Sequence, residues 1–167
     1  MKQFHRKSPL VLGIALYNRG FAFALLRDAK LVNWGLALLN GEGEKNQWAI
    51  NRLKRLISQW NPDMVVFEDA LAKDSNRSPR IRKLMKRMVT LSVDRGLKVK
   101  FVSRKRLAKI VTGKEKGTKY QIAETILKQF PSELASWLPL KRKAWMVENP
   151  KLRVFEAVAL GLCASNR

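Results

Sequence analysis

Two glutamates stand where a carboxylate is hardest to place. Glu68 closes the apolar run Met64-Val65-Val66-Phe67, which reads as a short buried strand. The carboxyl ends of strands are where open α/β sheets gather their functional groups. Glu156 lies inside Val154-Phe155-Glu156-Ala157-Val158-Ala159-Leu160, so its carboxylate is buried and needs a metal ion, a base or a hydrogen-bond network to satisfy it. The competing explanation is a salt bridge to one of the 34 lysines and arginines. Asp69 adjoins Glu68, but consecutive strand residues point to opposite faces, so the two are not expected to converge. His5 and Cys163 are each the single residue of their kind. They cannot form a zinc site or an intramolecular disulfide. His5 is assigned no role, and Cys163 reads as a small core residue.

The second chemical feature is cationic. With 34 Lys+Arg against 13 Asp+Glu over 167 residues, the formal charge is +21. Such an excess opposes compaction and suits a polyanionic partner, above all nucleic acid. The cations are clustered. Arg77, Arg80, Arg82, Lys83, Lys86 and Arg87 lie on and before one predicted helix, Arg104, Lys105, Arg106 and Lys109 on the next, and Lys114, Lys116 and Lys119 about a glycine-flanked loop. Together they read as phosphate contacts, although any one alone is equally well a solvated surface residue. Lys119 opens a helix after Gly117-Thr118, where backbone amides also favour phosphate. Lys141-Arg142-Lys143 beside Trp145 fits a backbone clamp or a stacked base, or an ordinary loop.

These residues need a scaffold, and 46% hydrophobic residues in a chain of this length suffice for one folded domain, 1–167. No run approaches the roughly 18 apolar residues that span a bilayer, and the basic N-terminus is followed by too short an apolar run for a signal peptide. The expectation is a cytoplasmic, nucleoid-associated protein without a membrane partner. Leu10–Leu16, Phe21–Leu26 and Leu31–Leu39 are apolar runs separated by turn signals, and predict an antiparallel meander. Trp48, Ala49, Leu53, Leu56, Ile57 and Trp60 fall at helical spacing. Met64–Phe67 is the fourth strand. Ser78-Pro79 caps a helix with the stripe Ile81, Leu84, Met85, Met88 and Leu91. Leu97–Val102 is the fifth strand. A short basic helix follows, then one opened by the capping box Thr118…Gln121. Beyond an irregular segment, a last helix from Asn149-Pro150 is apolar on nearly every side. The fold class is α/β, with a mixed five-stranded sheet, three antiparallel strands then parallel ones, flanked by helices. This order resembles the ribonuclease H-like fold.

Three segments carry a closer resemblance: Val11-Leu12-Gly13-Ile14-Ala15 with Arg19-Gly20-Phe21, Pro62-Asp63-Met64-Val65-Val66-Phe67-Glu68, and Phe155-Glu156-Ala157-Val158-Ala159-Leu160. In order and spacing they resemble the RuvC family of Holliday junction resolvases over nearly the whole chain. The resemblance implies a catalytic site in which acids hold two Mg²⁺ or Mn²⁺ ions that activate water against a DNA phosphodiester. Glu68 matches the family's fourth-strand Glu, and Glu156 matches a last-helix Asp. The first-strand acid position is occupied by Ala15, and the other last-helix acid falls at Arg153. Glu148 is the available replacement ligand. Two readings of Ala15 stay open in the sequence: natural loss of the acid in a binding protein, or a substitution made to trap an uncleaved complex. Either implies weak cleavage, because two glutamates hold Mg²⁺ poorly.

The resemblance further implies branched DNA, a four-way junction, as the partner of a homodimer, with the helix near Ser78–Asp94 at the interface and Met85 and Met88 packing across the two-fold. It also places a lysine in a setting like that of Lys119 near the substrate. The leading expectation is therefore a structure-specific DNA-binding protein on an endonuclease scaffold with an impaired site. The rival is a non-catalytic basic protein bound to RNA or the ribosome, for which Glu68 and Glu156 are merely salt-bridged.

Overall fold

The computed structural model describes residues 8–39, 43–72 and 75–165; His5 and the basic N-terminus lie outside them. In β1 (Val11–Tyr17) Leu12, Ile14 and Leu16 pack on one side of the sheet, and Val11 and Ala15 on the other. Because both faces are buried, the strand is a continuous apolar run rather than an alternating one. β2 (Gly20–Arg27) pairs antiparallel with β1, and β3 (Lys30–Leu38) antiparallel with β2, with a register shift at Leu25/Leu26. β4 (Met64–Glu68) lies parallel to β1, and β5 (Lys98–Val102) parallel to β4. The order is β3-β2-β1-β4-β5. This is the expected mixed five-stranded sheet, with each strand within a residue or two of its predicted bounds.

Helices cover both faces. α1 (Lys45–Trp60) and α2 (Pro79–Asp94) seal the side of Leu12 and Ile14. α3 (Arg104–Thr112), α4 (Lys119–Gln129), the single turn α5 (Pro131–Leu134) and α6 (Leu152–Ser165) seal the side of Ala15. Ser78 accepts from the Ile81 amide, and Thr118 and Gln121 form the reciprocal capping box, which fixes where α2 and α4 begin. Met85 and Met88 are 1% and 0% exposed within the chain's own core. The expectation that they pack across a two-fold is therefore corrected: the stripe they belong to is already spent on α1 and the sheet. Trp34, Trp48, Trp60 and Trp137 are half-buried against the two cores, whereas Trp145 is exposed. No helix among the described residues is long and apolar enough to cross a membrane.

α6 is the central element of its layer, pressed onto β1 and β2. At Gly13 a Cβ would overlap the backbone carbonyl oxygen of Ala157, and backbone cannot move aside as a flexible side chain can. Gly13→Ala is therefore expected to cost about 3 kcal/mol or more, read as a lowered midpoint in urea unfolding. An unchanged midpoint would mean that α6 does not sit this close to β1. Cys163, on the same helix, is a core residue as expected, and burial pushes its thiol up to about 11.

Candidate functional site

The last paired residues of β1 and β4 are Ile14 and Phe67. One step further along both strands come Ala15 and Glu68, neighbours on the face that α6 covers. Up to its terminal Ser165, α6 is apolar all round except for Arg153 and Glu156, which are spaced i,i+3 and so share one helical face. That face meets the carboxyl ends of β1 and β4. The sheet and the helix thus bring Ala15, Glu68, Arg153 and Glu156 to one place. β5 adds Arg104 through the start of α3, and α4 adds Lys119 from its first turn. A cleft of about 380 Å³ opens here, lined among others by Glu68, Arg77, Arg104, Lys119 and Arg153.

Glu68, Glu148 and Glu156 are each held by a side-chain cation. Arg104 Nη1 donates to Glu156 Oε1 at 2.6 Å, and Arg153 Nη1 to Glu156 Oε2 at 3.0 Å. Lys119 Nζ donates to Glu148 at 3.0 and 3.3 Å. Arg153 Nε lies 3.3 Å from Glu148 Oε1, near enough for ionic attraction but not aligned as a hydrogen bond. Arg77 Nη2 donates to Glu68 Oε2 at 2.8 Å, while its Nη1 donates to the Leu16 carbonyl at 3.2 Å. Arg153 also lies over the Tyr17 ring, 6.0 Å from its centroid. Three carboxylates therefore face four cations, as a chain Arg104–Glu156–Arg153–Glu148–Lys119 and a separate pair Arg77–Glu68.

The electrostatics follow from burial and neighbours. Burial alone would raise the Glu156 carboxyl, but Arg153 and Arg104 outweigh it and hold the group below its ordinary range. Burial would lower the Arg153 guanidinium, yet Glu156 and Glu148 push it the other way. Burial raises the Tyr17 phenol, against the lowering pull of Arg19 and Arg153. All these groups are thus in their ordinary charge states at neutral pH, and the paired charges compensate one another's desolvation.

As arranged, the residues do not fit two divalent metal ions. Such a site needs several free carboxylate oxygens converging on shared cations. Here Ala15 offers no donor, Arg153 adds positive charge, and both oxygens of Glu148 and of Glu156 and one oxygen of Glu68 already receive N–H donors. No group of three or more His, Cys, Asp or Glu among the described residues could hold a metal ion. Asp69 borders the cleft, but its Oδ1 accepts the Leu71 amide at 3.1 Å in a local turn.

The remaining cations divide. Arg80 is tied to Asn46 Oδ1 and to the Asn18 carbonyl, and Arg87 to Gln47 Oε1, so both pin α2 to neighbouring elements. Lys83 is exposed on α2, on the opposite side of the sheet from the cleft helices. Lys105, Arg106, Lys109, Lys114 and Lys116 are exposed on α3 and the loop after it. Lys141, Arg142 and Lys143 are exposed on the segment that leads back to Glu148. Two residues were misjudged in the sequence. Arg77 stood out only as one of a helical cluster, and Arg153 only as a missing acid. The signal for the second was an arginine three residues from a glutamate in an otherwise apolar helix.

No protein-family model matches the chain, and no curated protein sequence does. Solved structures do match. Thermus thermophilus RuvC superposes with a TM-score of 0.68 over 93% of this chain and 92% of its own, at 11% identity. The complex of T. thermophilus RuvC with a Holliday junction substrate gives 0.66 over 94% and 93%, at 12% identity. The yeast mitochondrial Holliday junction resolvase Ydc2 gives 0.62 over 93% of this chain and 77% of its own, at 15% identity. The chain has the fold of the Holliday junction resolvases, as its motif order suggested.

Proposed function

We propose that this chain binds branched DNA through a resolvase fold and does not hydrolyse it. The observation that carries this reading is the replacement of free acids by ion pairs in the cleft: Ala15 and Arg153 stand at two acid positions, and Arg77, Arg104, Arg153 and Lys119 pair with the three glutamates. Ala15 is not an isolated change. Arg153 is built into the network with a glutamate on either side in sequence, which supports natural loss of the acidic set over a single substitution.

A cluster of bare carboxylates repels a DNA phosphate until bound cations neutralise it. In this cleft the cations are covalently part of the chain, so the backbone of the DNA can approach without metal. Exposed Lys105, Arg106, Lys109, Lys114 and Lys116 on the same side of the sheet extend the positive surface, and their phosphate contacts make affinity fall steeply with salt. A homodimer belongs to the proposal, since a four-way junction is itself two-fold symmetric. Its contacts must come from surface other than Met85 and Met88.

The test is a binding titration of a labelled four-way junction against duplex of the same sequence. Junction affinity is expected to exceed duplex affinity, and to change by no more than about threefold when Mg²⁺ is replaced by EDTA at constant ionic strength. A tenfold loss in EDTA would show a metal requirement and overturn the reading. Equal binding of junction, duplex and RNA would favour a general basic binding protein instead.

A further inference from the structure

The segment 138–149 carries the three most exposed large hydrophobic side chains among the described residues. Leu140 is 92% exposed, Val147 87% and Trp145 78%. Single exposed apolar residues are ordinary, but a cluster of them marks an interaction site. The backbone that carries the aromatic ring is also held in place. The Met146 amide donates to the Lys143 carbonyl at 2.9 Å, closing a turn with Trp145 at its tip, and Arg142 Nη1 donates to the Met146 carbonyl at 2.9 Å. The segment is anchored at both ends, by the Tyr120 hydroxyl on the Pro139 carbonyl and by Glu148 on Lys119 and Arg153. Between it and the first turn of α4 runs a groove of about 620 Å³, bordered by Tyr120, Gln121, Leu140, Met146 and Val147.

Charge decides what this surface takes. Residues 138–147 contain Lys141, Arg142 and Lys143 and no acid, and Lys143 Nζ lies 5.2 Å from the centroid of the Trp145 ring. Glu124 and Glu148 line the adjoining groove, the second already paired with Lys119 and Arg153, but Lys141, Arg142 and Lys143 pair with no carboxylate among the described residues, so an apolar protein helix or a second copy of this strongly basic chain would meet unpaired positive charge there. A partner that offers both negative phosphates and flat π faces matches both features. We propose that Trp145 is a stacking platform for a nucleobase left unpaired at the branch point, with Lys143 and Arg142 taking the flanking phosphates. This rests on the branched-DNA reading and names the contact by which a branch differs from a duplex, whose bases are all stacked already. Because the turn is formed before binding, little ordering cost is added on contact.

The experiment uses a four-way junction carrying one unpaired 2-aminopurine at its branch, a fully paired duplex, and a single strand carrying the same base. Binding of the junction is expected to quench the 2-aminopurine. Trp145→Ala is expected to lose the quenching and roughly 10-fold in junction affinity, Trp145→Phe to keep most of both, and all three proteins to bind duplex alike. Trp145 is exposed, so neither variant threatens the core. The proposal is overturned if Trp145→Ala binds and quenches as the parent does, or if it loses duplex affinity equally. If the parent binds junction and duplex alike, the branched-DNA reading fails separately. The single strand then decides: the same loss in Trp145→Ala supports stacking, and no loss overturns it.

Discussion

Ala15→Asp on its own is expected to leave the chain unable to cut a four-way junction in either Mg²⁺ or Mn²⁺. The new carboxylate would stand beside Glu68 on the face covered by α6, at the first-strand acid position. It would still face Arg153, whose guanidinium lies 3.0 Å from Glu156 and 3.3 Å from Glu148, and Glu68 would still be held by Arg77. A divalent ion entering this cleft meets the positive charges before it meets free oxygens. Ala15→Asp with Arg153→Asp changes both terms at once, removing the central cation and adding two acids. That double variant is expected to bind Mn²⁺, measured by calorimetry, and to cut the junction at least about 100-fold faster than the parent, since metal stabilisation of the transition state is worth several kcal/mol and each 1.36 kcal/mol is a factor of ten. Glu68→Gln in the double background should abolish the gain. Cleavage by the parent, or by Ala15→Asp alone, would show that the ion pairs yield readily to metal and would sink the non-hydrolytic reading.

The second large effect is on stability. Glu156 is 1% exposed and joins Arg104 to Arg153. Glu156→Gln keeps the shape but leaves two guanidiniums facing a neutral amide, one of them deep in the fold. Breaking a buried pair from one side costs about 3–5 kcal/mol, which for a chain of this size lowers Tm by about 6–20 °C. Replacing both partners by apolar residues, Arg153→Met with Glu156→Leu, should cost far less, because no uncompensated charge remains. The acid limb gives an independent reading. The folded Glu156 carboxyl sits below its ordinary value of 4.5, so its contribution is present above that pH and is lost as the pH falls through the lower folded value. The parent should therefore lose stability in that acid window, and Glu156→Gln should show a flatter profile there. A cost below about 1 kcal/mol for Glu156→Gln would show that this carboxylate is not the hub of the network.

The two arguments meet in Arg153. On the proposed reading it keeps the cleft from accepting metal, and its guanidinium is the buried charge that Glu156 compensates. Buried charge in a core is usually a burden unless fully paired, and the pairing here extends through Glu148 and Lys119 to the segment that carries Trp145.

Much of this was determined by the sequence alone. Apolar runs and turn residues set all five strands, because strand burial is a local pattern of side chains. Ser78-Pro79 and Thr118…Gln121 set two helix starts, because capping is a matter of three or four consecutive residues. Glu68 and Glu156 could be singled out because an acid beside or inside an apolar run is anomalous wherever the chain goes. What the tertiary structure decided was how those acids are satisfied. The sequence offered 34 cations, and only packing chose Arg77, nine residues from Glu68, and Arg104, fifty-two residues from Glu156. Packing likewise turned Met85 and Met88 inward to the core and Trp145 outward to solvent. A residue's own type and its near neighbours fix its conformational preference, whereas its ion-pair partner depends on which distant elements the sheet and α6 bring within a few ångströms.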